Sequence, residues 1–340
     1  MKKITMSFRA LGTLNMLETA ELPDGSALPT AQRIRDRVFD MDRRMSVFRE
    51  DSELSGVNRA AGSGVLLPVS ADTWQLVKDS VYYAGVTDGA FDITTGPLSR
   101  LWGIGKKGEY IPTEEERAKV LPLVNWRDIR LEKKPAAPAE EAAKETQQEP
   151  DQLQKSDQLQ NPAASDSGET YLLGLARPGQ MLDLGGIAKG FAADLAEQML
   201  KETGAESGLI DFGGTVTVFG RWMEIGVQNP FGARGSSVGT LNVENASVVT
   251  SGTYERCFFH DGVRYHHILD PRTGMPAATG IAGITLVGHG AEKLDALCTS
   301  VILLGLEKGM QLVRQFDARA VVVMEDGSVF HSEGLELVKT

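Results

Sequence analysis

Residues 182–194 read Leu-Asp-Leu-Gly-Gly-Ile-Ala-Lys-Gly-Phe-Ala-Ala-Asp, and the rest of the chain is interpreted outward from this stretch. The apolar residues that lead to Asp183 predict the end of a strand, and Gly185 with Gly186 predicts a tight turn at positive φ. After the turn the apolar residues recur at helical spacing, and Gly204 predicts the end of that helix. A strand, a glycine turn and a helix start together present backbone N–H groups that suit an anion such as a phosphate.

Lys189 stands in the first turn of this predicted helix, where a positive charge is unfavourable. Its presence there calls for a nearby anion or for another reason. The alternative is an ordinary strand-to-helix connection whose lysine points into water, because short glycine-rich turns match phosphate sites by chance. The stretch is neither a Walker A loop nor a G-x-G-x-x-G fingerprint, so these residues alone leave both interpretations open.

The composition is that of an acidic globular protein. The 340 residues are 41% hydrophobic, and 35 basic residues stand against 46 acidic ones for a net charge of −11. No block of Lys and Arg is present, which argues against a nucleic-acid partner. No run of 18 apolar residues occurs, so the sequence predicts no transmembrane segment. The first residues contain neither an apolar export segment nor a lipoprotein cysteine, so the chain as given is expected to be cytoplasmic unless an export signal was removed.

Local signals predict several helix and loop boundaries. Ser70 predicts the N-cap of a helix that ends near Asp88, and Thr113 with Glu116 predicts a capping box. Residues 90–103 are dense in Gly, Pro, Asp and aromatic residues, which predicts a structured loop. Cys257 and Cys298 lie in apolar surroundings without metal-ligand spacing, so we expect two free buried thiols, with a disulfide as the alternative.

Residues 133–168 differ in kind from the rest of the chain. They are rich in Ala, Glu, Gln, Pro, Ser and Asp and nearly lack large apolar side chains. Such a segment cannot bury enough surface to offset the entropy of ordering it, so we expect a disordered insertion. The apolar stretches 129–131 and 171–173 flank it, and we expect them to pair as a hairpin. A partner-binding tail is the alternative interpretation of the insertion.

A predicted apolar helix over residues 291–304 carries a carboxylate among its apolar positions. Asp295 and Thr299 lie four residues apart and therefore share one face of the helix. A buried carboxylate needs a partner, and Mg²⁺ bound by Asp295, the Thr299 hydroxyl and a backbone carbonyl would supply one. The alternative is a buried aspartate that accepts hydrogen bonds from the threonine and from backbone N–H groups.

Other candidate site residues are ambiguous when each is taken alone. His266 and His267 are neighbours on a predicted strand, so their side chains point to opposite faces and at most one lines a given site. Such a histidine serves either as a general base or as a satisfied structural residue. Phe48 and Tyr254 would stack on a planar ring or belong to the core. Asp92, in the motif Ala90-Phe91-Asp92, is likewise either a site residue or a structural one when taken alone.

Three long motifs occur in order along the chain: GAFDITTGPL at 89–98, DLGGIAKG at 183–190 and HILDPRTG at 267–274. Together with shorter blocks between residues 10 and 305, they resemble the signature blocks of the ApbE family of flavin transferases. The resemblance implies an α+β fold of two intimately joined subdomains with FAD bound between them. On this resemblance we expect residues 1–340 to form one domain, with the 133–168 insertion inside it.

The resemblance also implies a reaction and a set of site residues. Members of the family transfer the FMN half of FAD to a Ser or Thr hydroxyl of an acceptor protein and release AMP, at sites similar to Asp-x-x-[Ser/Thr]-Gly-Ala-Thr. His267 would be the general base, and Mg²⁺ would be held by Asp295, Thr299 and the carbonyl of Gly186. The expected FAD contacts are Phe48, Ala90, Phe91, Asp92, Asp183 and Lys189, with Tyr254 as a further aromatic candidate. Position 48 departs from the family pattern, because many members have Tyr there.

Overall fold

The computed structural model describes residues 2–105, 110–135 and 168–338 of the chain. The strands are β1 (Lys3–Ala10), β2 (Thr13–Ala20), β3 (Leu67–Val69), β4 (Ile129–Pro135), β5 (Glu169–Leu175), β6 (Gly208–Phe212), β7 (Thr215–Gln228), β8 (Ser237–Gly252), β9 (Cys257–His260), β10 (Val263–His266), β11 (Ile281–Gly288), β12 (Arg319–Met324), β13 (Val329–His331) and β14 (Leu337–Val338). The helices are α1 (Ala27–Met45), α2 (Glu53–Arg59), α3 (Ala71–Val86), α4 (Gly96–Trp102), α5 (Glu114–Val120), α6 (Ala188–Glu202), α7 (Ala291–Leu304) and α8 (Leu306–Gln315). This mixture confirms the α+β class.

One antiparallel sheet forms the largest layer of the structure. Its strands follow the order β1-β2-β6-β7-β8-β11-β12-β13, and β14 pairs with β8 at Leu337↔Leu241. Helices α1, α6 and α7 place apolar side chains in the main core together with residues of this sheet, among them Ile34, Ala192 and Leu297. The helix with the buried carboxylate packs against β8 and β11 of this sheet and against helices α6 and α8.

A smaller three-stranded sheet has the order β3-β5-β4. Leu131 pairs with Leu173, which confirms the predicted hairpin. The pairing continues to Pro135↔Glu169, so residues 133–135 belong to a strand and the predicted insertion starts too early. The rest of that insertion, residues 136–167, lies outside the described residues.

Local capping signals predict helix starts well in this chain. The Ser70 hydroxyl accepts the Thr73 amide N–H, and Thr113 forms the predicted capping box with Glu116. The prediction of a loop over residues 90–103 is wrong in part, because α4 begins at Gly96 within it. Pro97 is tolerated there, since the first turn of a helix leaves the N–H of that position without an intrahelical acceptor.

The helix predicted around Asp295 is confirmed as α7, and ten of its side chains are buried. Cys257 and Cys298 are both free thiols, as predicted; Cys298 is buried and Cys257 is partly so. Across the described part of the chain, the helices include none that is long and apolar enough to cross a membrane.

Candidate active site

The stretch from Met181 to Gly186 is held in place by backbone contacts on both sides. The Asp183 amide donates to the Ile93 carbonyl at 2.7 Å, and the Asn58 side chain accepts the Leu182 N–H at 2.7 Å. Met181 forms an isolated bridge with Thr95, so the predicted strand end is reduced to a single bridge. These contacts bring the 89–98 motif alongside the 183–190 motif.

The two glycines of the turn do not have the predicted conformation. Neither Gly185 nor Gly186 is among the residues at positive φ, so that prediction is wrong. A Cβ at Gly186 would lie 3.5 Å from the Phe91 ring and 3.5 Å from the Thr299 hydroxyl oxygen. The glycine thus lets the backbone approach α7 and the aromatic ring, and it brings Gly186 beside Thr299.

Helices α6 and α7 start side by side because Gly190 lacks a side chain. A Cβ there would lie 2.4 Å from the Ala291 carbonyl oxygen, which real structures do not tolerate. Asp194 fixes the contact, because its carboxylate accepts the backbone N–H groups of Ala291 at 2.7 Å and Glu292 at 2.9 Å. Burial raises the pKa of Asp194, and those two hydrogen bonds act in the opposite direction. This carboxylate therefore caps α7.

Asp295 is the anion at the start of α6. It is 2% exposed, its oxygens lie 3.2 and 3.3 Å from Lys189 Nζ, and it accepts the Gly190 backbone N–H at 3.1 Å. The interpretation in which the lysine points into water is thus excluded, because the ammonium group pairs with a buried carboxylate. A charge-assisted pair with a backbone donor satisfies a group that would otherwise be costly to bury.

The oxygen groups around Gly186 fit the donor set that Mg²⁺ prefers. Asp295 and Thr299 lie one turn apart on α7, and the Thr299 hydroxyl borders Gly186. Hard oxygen ligands with few carboxylates are typical of Mg²⁺ sites that share the ion with phosphates. Among the described residues, no group of three or more His, Cys, Asp or Glu is placed to hold a metal ion.

Asp92 is engaged by the protein itself. Its Oδ1 accepts the Thr94 backbone N–H at 2.7 Å and the Thr94 hydroxyl at 2.6 Å. Its Oδ2 accepts the backbone N–H of Trp126 at 3.1 Å. The Thr94 hydroxyl oxygen also accepts the Asn125 N–H at 2.8 Å. Burial raises the pKa of Asp92, and these hydrogen bonds oppose the rise. Both oxygens hold the loop that positions Phe91.

The two histidines have opposite environments, as their alternation predicts. His266 is 2% exposed, with Nε2 3.0 Å from the Ala277 carbonyl oxygen and Nδ1 3.3 Å from the Ile268 nitrogen. Burial lowers the pKa of His266 to about 4. Both ring nitrogens are thus satisfied within the protein, so His266 is structural.

His267 keeps exposed surface although protein surrounds it on most sides. Its Nδ1 lies 3.3 Å from the Arg256 carbonyl oxygen, which also accepts the His267 backbone N–H at 3.1 Å. The surrounding protein lowers the pKa of His267 to about 4, and the positive charges of Arg256 and Lys189 act in the same direction. The imidazole is therefore neutral near pH 7.

The remaining predicted contacts occupy different positions. Ala90 and Phe91 are buried, at 2% and 3% exposed, whereas Phe48 is 74% exposed. The Tyr254 ring lies across Gly252 and its cross-strand partner Gly283, and burial raises the pKa of its hydroxyl to about 12. Within 4 Å of a Cβ at Gly186, the described residues place Phe91 and Thr299 and neither of these other rings. The structure joins Phe91 and Thr299 to Gly186 and joins Lys189 to Asp295, while Phe48 and Tyr254 stay predicted FAD contacts.

Two residues near the site were not singled out from the sequence. The Asn58 side-chain amide donates to the Leu182 carbonyl and accepts the Leu182 backbone N–H. The Arg256 backbone carbonyl lies next to the His267 ring. Arg256 ends the Thr250–Arg256 block that contributes to the family resemblance, so its position was a usable signal. A surface depression of about 440 Å³ is lined by Asp24, Ser26, Arg33, Met199, Glu202 and Thr203. It lies at the C-terminal end of α6, whereas Lys189 is at the other end.

Known proteins resemble this chain over most of its length. The chain matches the ApbE family over residues 11–323. A Klebsiella pneumoniae protein named FAD:protein FMN transferase is 33% identical over 306 residues, which cover 88% of this chain and 85% of that protein. The Treponema pallidum protein of the same name is 31% identical over 306 residues, which cover 86% of this chain and 76% of that protein.

A solved structure agrees with these matches. The crystal structure of the ApbE protein from Thermotoga maritima has a TM-score of 0.77 and 27% identity to this chain, with 98% of this chain and 97% of that chain covered. The fold, the family match and relatives above 30% identity all agree, and the chain belongs to the ApbE family.

Proposed function

We propose that this chain is a Mg²⁺-dependent enzyme that transfers the FMN half of FAD to a serine or threonine hydroxyl of an acceptor protein and releases AMP. The acceptor site would resemble Asp-x-x-[Ser/Thr]-Gly-Ala-Thr. The names of the relatives support flavin transfer from FAD to a protein. The observation that carries the proposal is the cluster of Gly186, Lys189, Asp295 and Thr299, which places a cation at the start of α6 beside oxygen ligands on one face of α7.

The metal role rests on the chemistry of this donor set. The residues that would hold Mg²⁺ are Asp295, Thr299 and the carbonyl of Gly186. When bound there, the ion would neutralise charge on the pyrophosphate oxygens of FAD. Lys189 lies within the same cluster, so its ammonium group would add positive charge to the phosphate side of the site.

The hydrogen bond at His267 supports a role as general base. A carbonyl oxygen accepts hydrogen bonds and cannot donate them, so the contact between Nδ1 and the Arg256 carbonyl places the proton on Nδ1. That tautomer leaves the lone pair on Nε2. A neutral imidazole with a free Nε2 lone pair is the form that accepts a proton from a hydroxyl.

In the proposed step, the acceptor oxygen forms a bond to the phosphorus of the FMN half. The bond from that phosphorus to the bridging oxygen breaks, and AMP leaves with the electron pair. The hydroxyl proton passes to Nε2 of His267 and then to solvent. Phe91, which borders Gly186, and Asp183 would contact FAD beside this centre, together with Ala90. Phe48 and Tyr254 stay predicted contacts, and Asp92, predicted as a contact from the family resemblance, would act on FAD through the loop that it holds.

The test follows both products in one reaction. The enzyme is incubated with FAD, Mg²⁺ and an acceptor that contains the target motif, and in-gel flavin fluorescence is read together with AMP by chromatography. We expect fluorescent acceptor and AMP, both lost when EDTA is added. An acceptor with Ala in place of the target Ser or Thr is the control. Free FMN with AMP and an unlabelled acceptor would indicate a FAD pyrophosphatase instead, and unchanged FAD would indicate a storage protein.

A further inference from the structure

Arg256 is a positively charged residue beside His267 whose side chain has no role in the step described above. Its carbonyl oxygen lies 3.1 Å from the His267 amide nitrogen and 3.3 Å from Nδ1. Its side chain runs past two glycines at positive φ. Cδ lies 3.6 Å from the place that a Cβ would take at Gly105, and Nη2 lies 3.6 Å from the same place at Gly12. The guanidinium therefore lies between the β1–β2 turn and the segment after α4.

The neighbouring cations already have partners. Lys189 pairs with Asp295 at 3.2 Å, and Arg264 donates to the Thr253 hydroxyl at 3.1 Å. Within residues 2–105, 110–135 and 168–338, the Arg256 guanidinium has no hydrogen-bond acceptor and no carboxylate within 4 Å. An exposed guanidinium with open donors is free to bind an anion that arrives with a substrate.

The positive charge of Arg256 influences the imidazole of His267. After the surrounding protein, Arg256 is the largest cause that lowers the pKa of His267, and Lys189 acts in the same direction. In this structure Lys189 is paired with Asp295, whereas no described carboxylate lies within 4 Å of the Arg256 guanidinium, so Arg256 adds a second positive charge beside the proposed base. A chain with a net charge of −11 needs such local positive charge to hold a doubly charged pyrophosphate.

We propose that the Arg256 guanidinium binds phosphate oxygens of FAD next to His267, an inference that rests on the proposed function. A hydroxyl in hydrogen-bond reach of Nε2 attacks a phosphorus about 3–3.5 Å away, so the reacting phosphate must lie close to that imidazole. The Arg256 side chain starts from the residue whose carbonyl contacts the same imidazole. Its planar fork matches two phosphate oxygens at once, which a lysine cannot do.

The test measures binding separately from transfer. FAD affinity is measured by flavin fluorescence and ADP affinity by competition, for wild type, R256M, R256K and R264M. R256M keeps the length and apolar stem of the side chain but removes the charge. We expect R256M to weaken FAD and ADP binding roughly 10- to 100-fold, in line with the loss of a charge-assisted hydrogen bond. R256K should recover part of the loss, and R264M, on the same hairpin, should bind both ligands like wild type.

Riboflavin, which has no phosphate, separates a direct contact from a disturbed fold. The inference predicts equal riboflavin affinity in wild type and R256M. Equal FAD and ADP affinities in the two proteins would overturn it. So would a loss of riboflavin binding in both R256M and R256K, or an effect on the KM of the acceptor alone, which would assign the guanidinium to the acceptor protein. These readouts do not depend on transfer, so a wild-type enzyme that binds FAD but labels no acceptor would refute only the proposed function.

Discussion

Lys189 Nζ lies 3.2 Å from Oδ2 and 3.3 Å from Oδ1 of Asp295, although 106 positions separate the two residues in the chain. This pair joins the glycine turn of the 183–190 motif to the apolar helix α7. It also explains both unusual residues together, because a lysine at a helix start and a carboxylate 2% exposed are each unfavourable without a partner.

Asp295→Asn should remove most of the activity with a smaller effect on folding. The amide keeps the shape and still accepts the Gly190 N–H, but it removes the charge that would hold Mg²⁺. We expect transfer to fall on the order of 100-fold or more. The control is Asp194→Asn, which weakens the α7 cap and should lower the melting temperature more than the activity. Equal turnover in Asp295→Asn and wild type would contradict the metal assignment.

Gly190→Ala should destabilise the protein by about 1–3 kcal/mol, because the added methyl would meet the Ala291 carbonyl at 2.4 Å and push α6 away from α7. Gly56→Ala is the matched control. A Cβ at Gly56 meets its nearest neighbour at an ordinary 3.8 Å, and Gly56 lies within α2, so that change should stabilise by about 0.4–1 kcal/mol. Urea unfolding measures both. An unchanged free energy of unfolding in Gly190→Ala would show that the close contact between α6 and α7 is not required.

Asp92 should act on FAD through the loop it holds. Asp92→Ala and Thr94→Val remove parts of one network, so both should lower stability by about 1–3 kcal/mol. We expect the two variants to raise the KM for FAD by similar factors. The measurement is a thermal melt beside FAD titration. If Asp92→Ala lost FAD binding with an unchanged melting temperature while Thr94→Val kept it, Asp92 would be a direct ligand contact.

The stability of the protein should fall with acid through His266. Its folded pKa is lowered to about 4 and the unfolded value is about 6.5, so the unfolded chain binds the extra proton. The stabilisation that depends on a neutral His266 is therefore complete above about pH 6.5. It is lost as the pH falls toward 4, which lowers the free energy of unfolding by up to about 3 kcal/mol. Urea unfolding at pH 7 and pH 5 should show a smaller drop in His266→Gln than in wild type. An identical drop in both proteins would assign the acid sensitivity elsewhere.

The segment 136–167 should be dispensable for catalysis. Pro135 and Glu169 are register partners, so a two-residue Asn-Gly turn can replace the intervening residues. We expect the shortened chain to bind FAD and label the acceptor like wild type. The same chain with an Ala-Ala link is a control for the turn itself. A large loss of transfer with intact FAD binding would instead support a partner-binding role for the segment.

Much of the fold was predictable because its signals are local. The caps at Ser70 and Thr113 each depend on residues within one helical turn, and the hairpin of β4 and β5 depends on two apolar stretches that flank one polar segment; all three are confirmed. The start of α4 was missed because Gly96 and Pro97 interrupt the helical pattern. Gly96 is required by a contact from outside the helix, since a Cβ there would lie 2.6 Å from the Met181 carbonyl oxygen.

The site was predictable only in part from the residues themselves. Spacing placed Asp295 and Thr299 on one face, but it could not supply Lys189 as the partner, because that contact depends on how two helices pack. The positive φ predicted for Gly185 and Gly186 is wrong for the same reason: space beside Phe91 and Thr299, rather than backbone conformation, accounts for Gly186. The family resemblance, and not the local pattern, predicted His267 rather than His266 as the general base.

The most direct test of the central claim is the intact mass of an acceptor protein after incubation with this enzyme, FAD and Mg²⁺, with AMP quantified in the same sample. The account predicts an acceptor that gains one FMN through a phosphoester bond, in equal amount to the AMP released, and no gain when the target hydroxyl is replaced by Ala. AMP and free FMN with an acceptor of unchanged mass would contradict it.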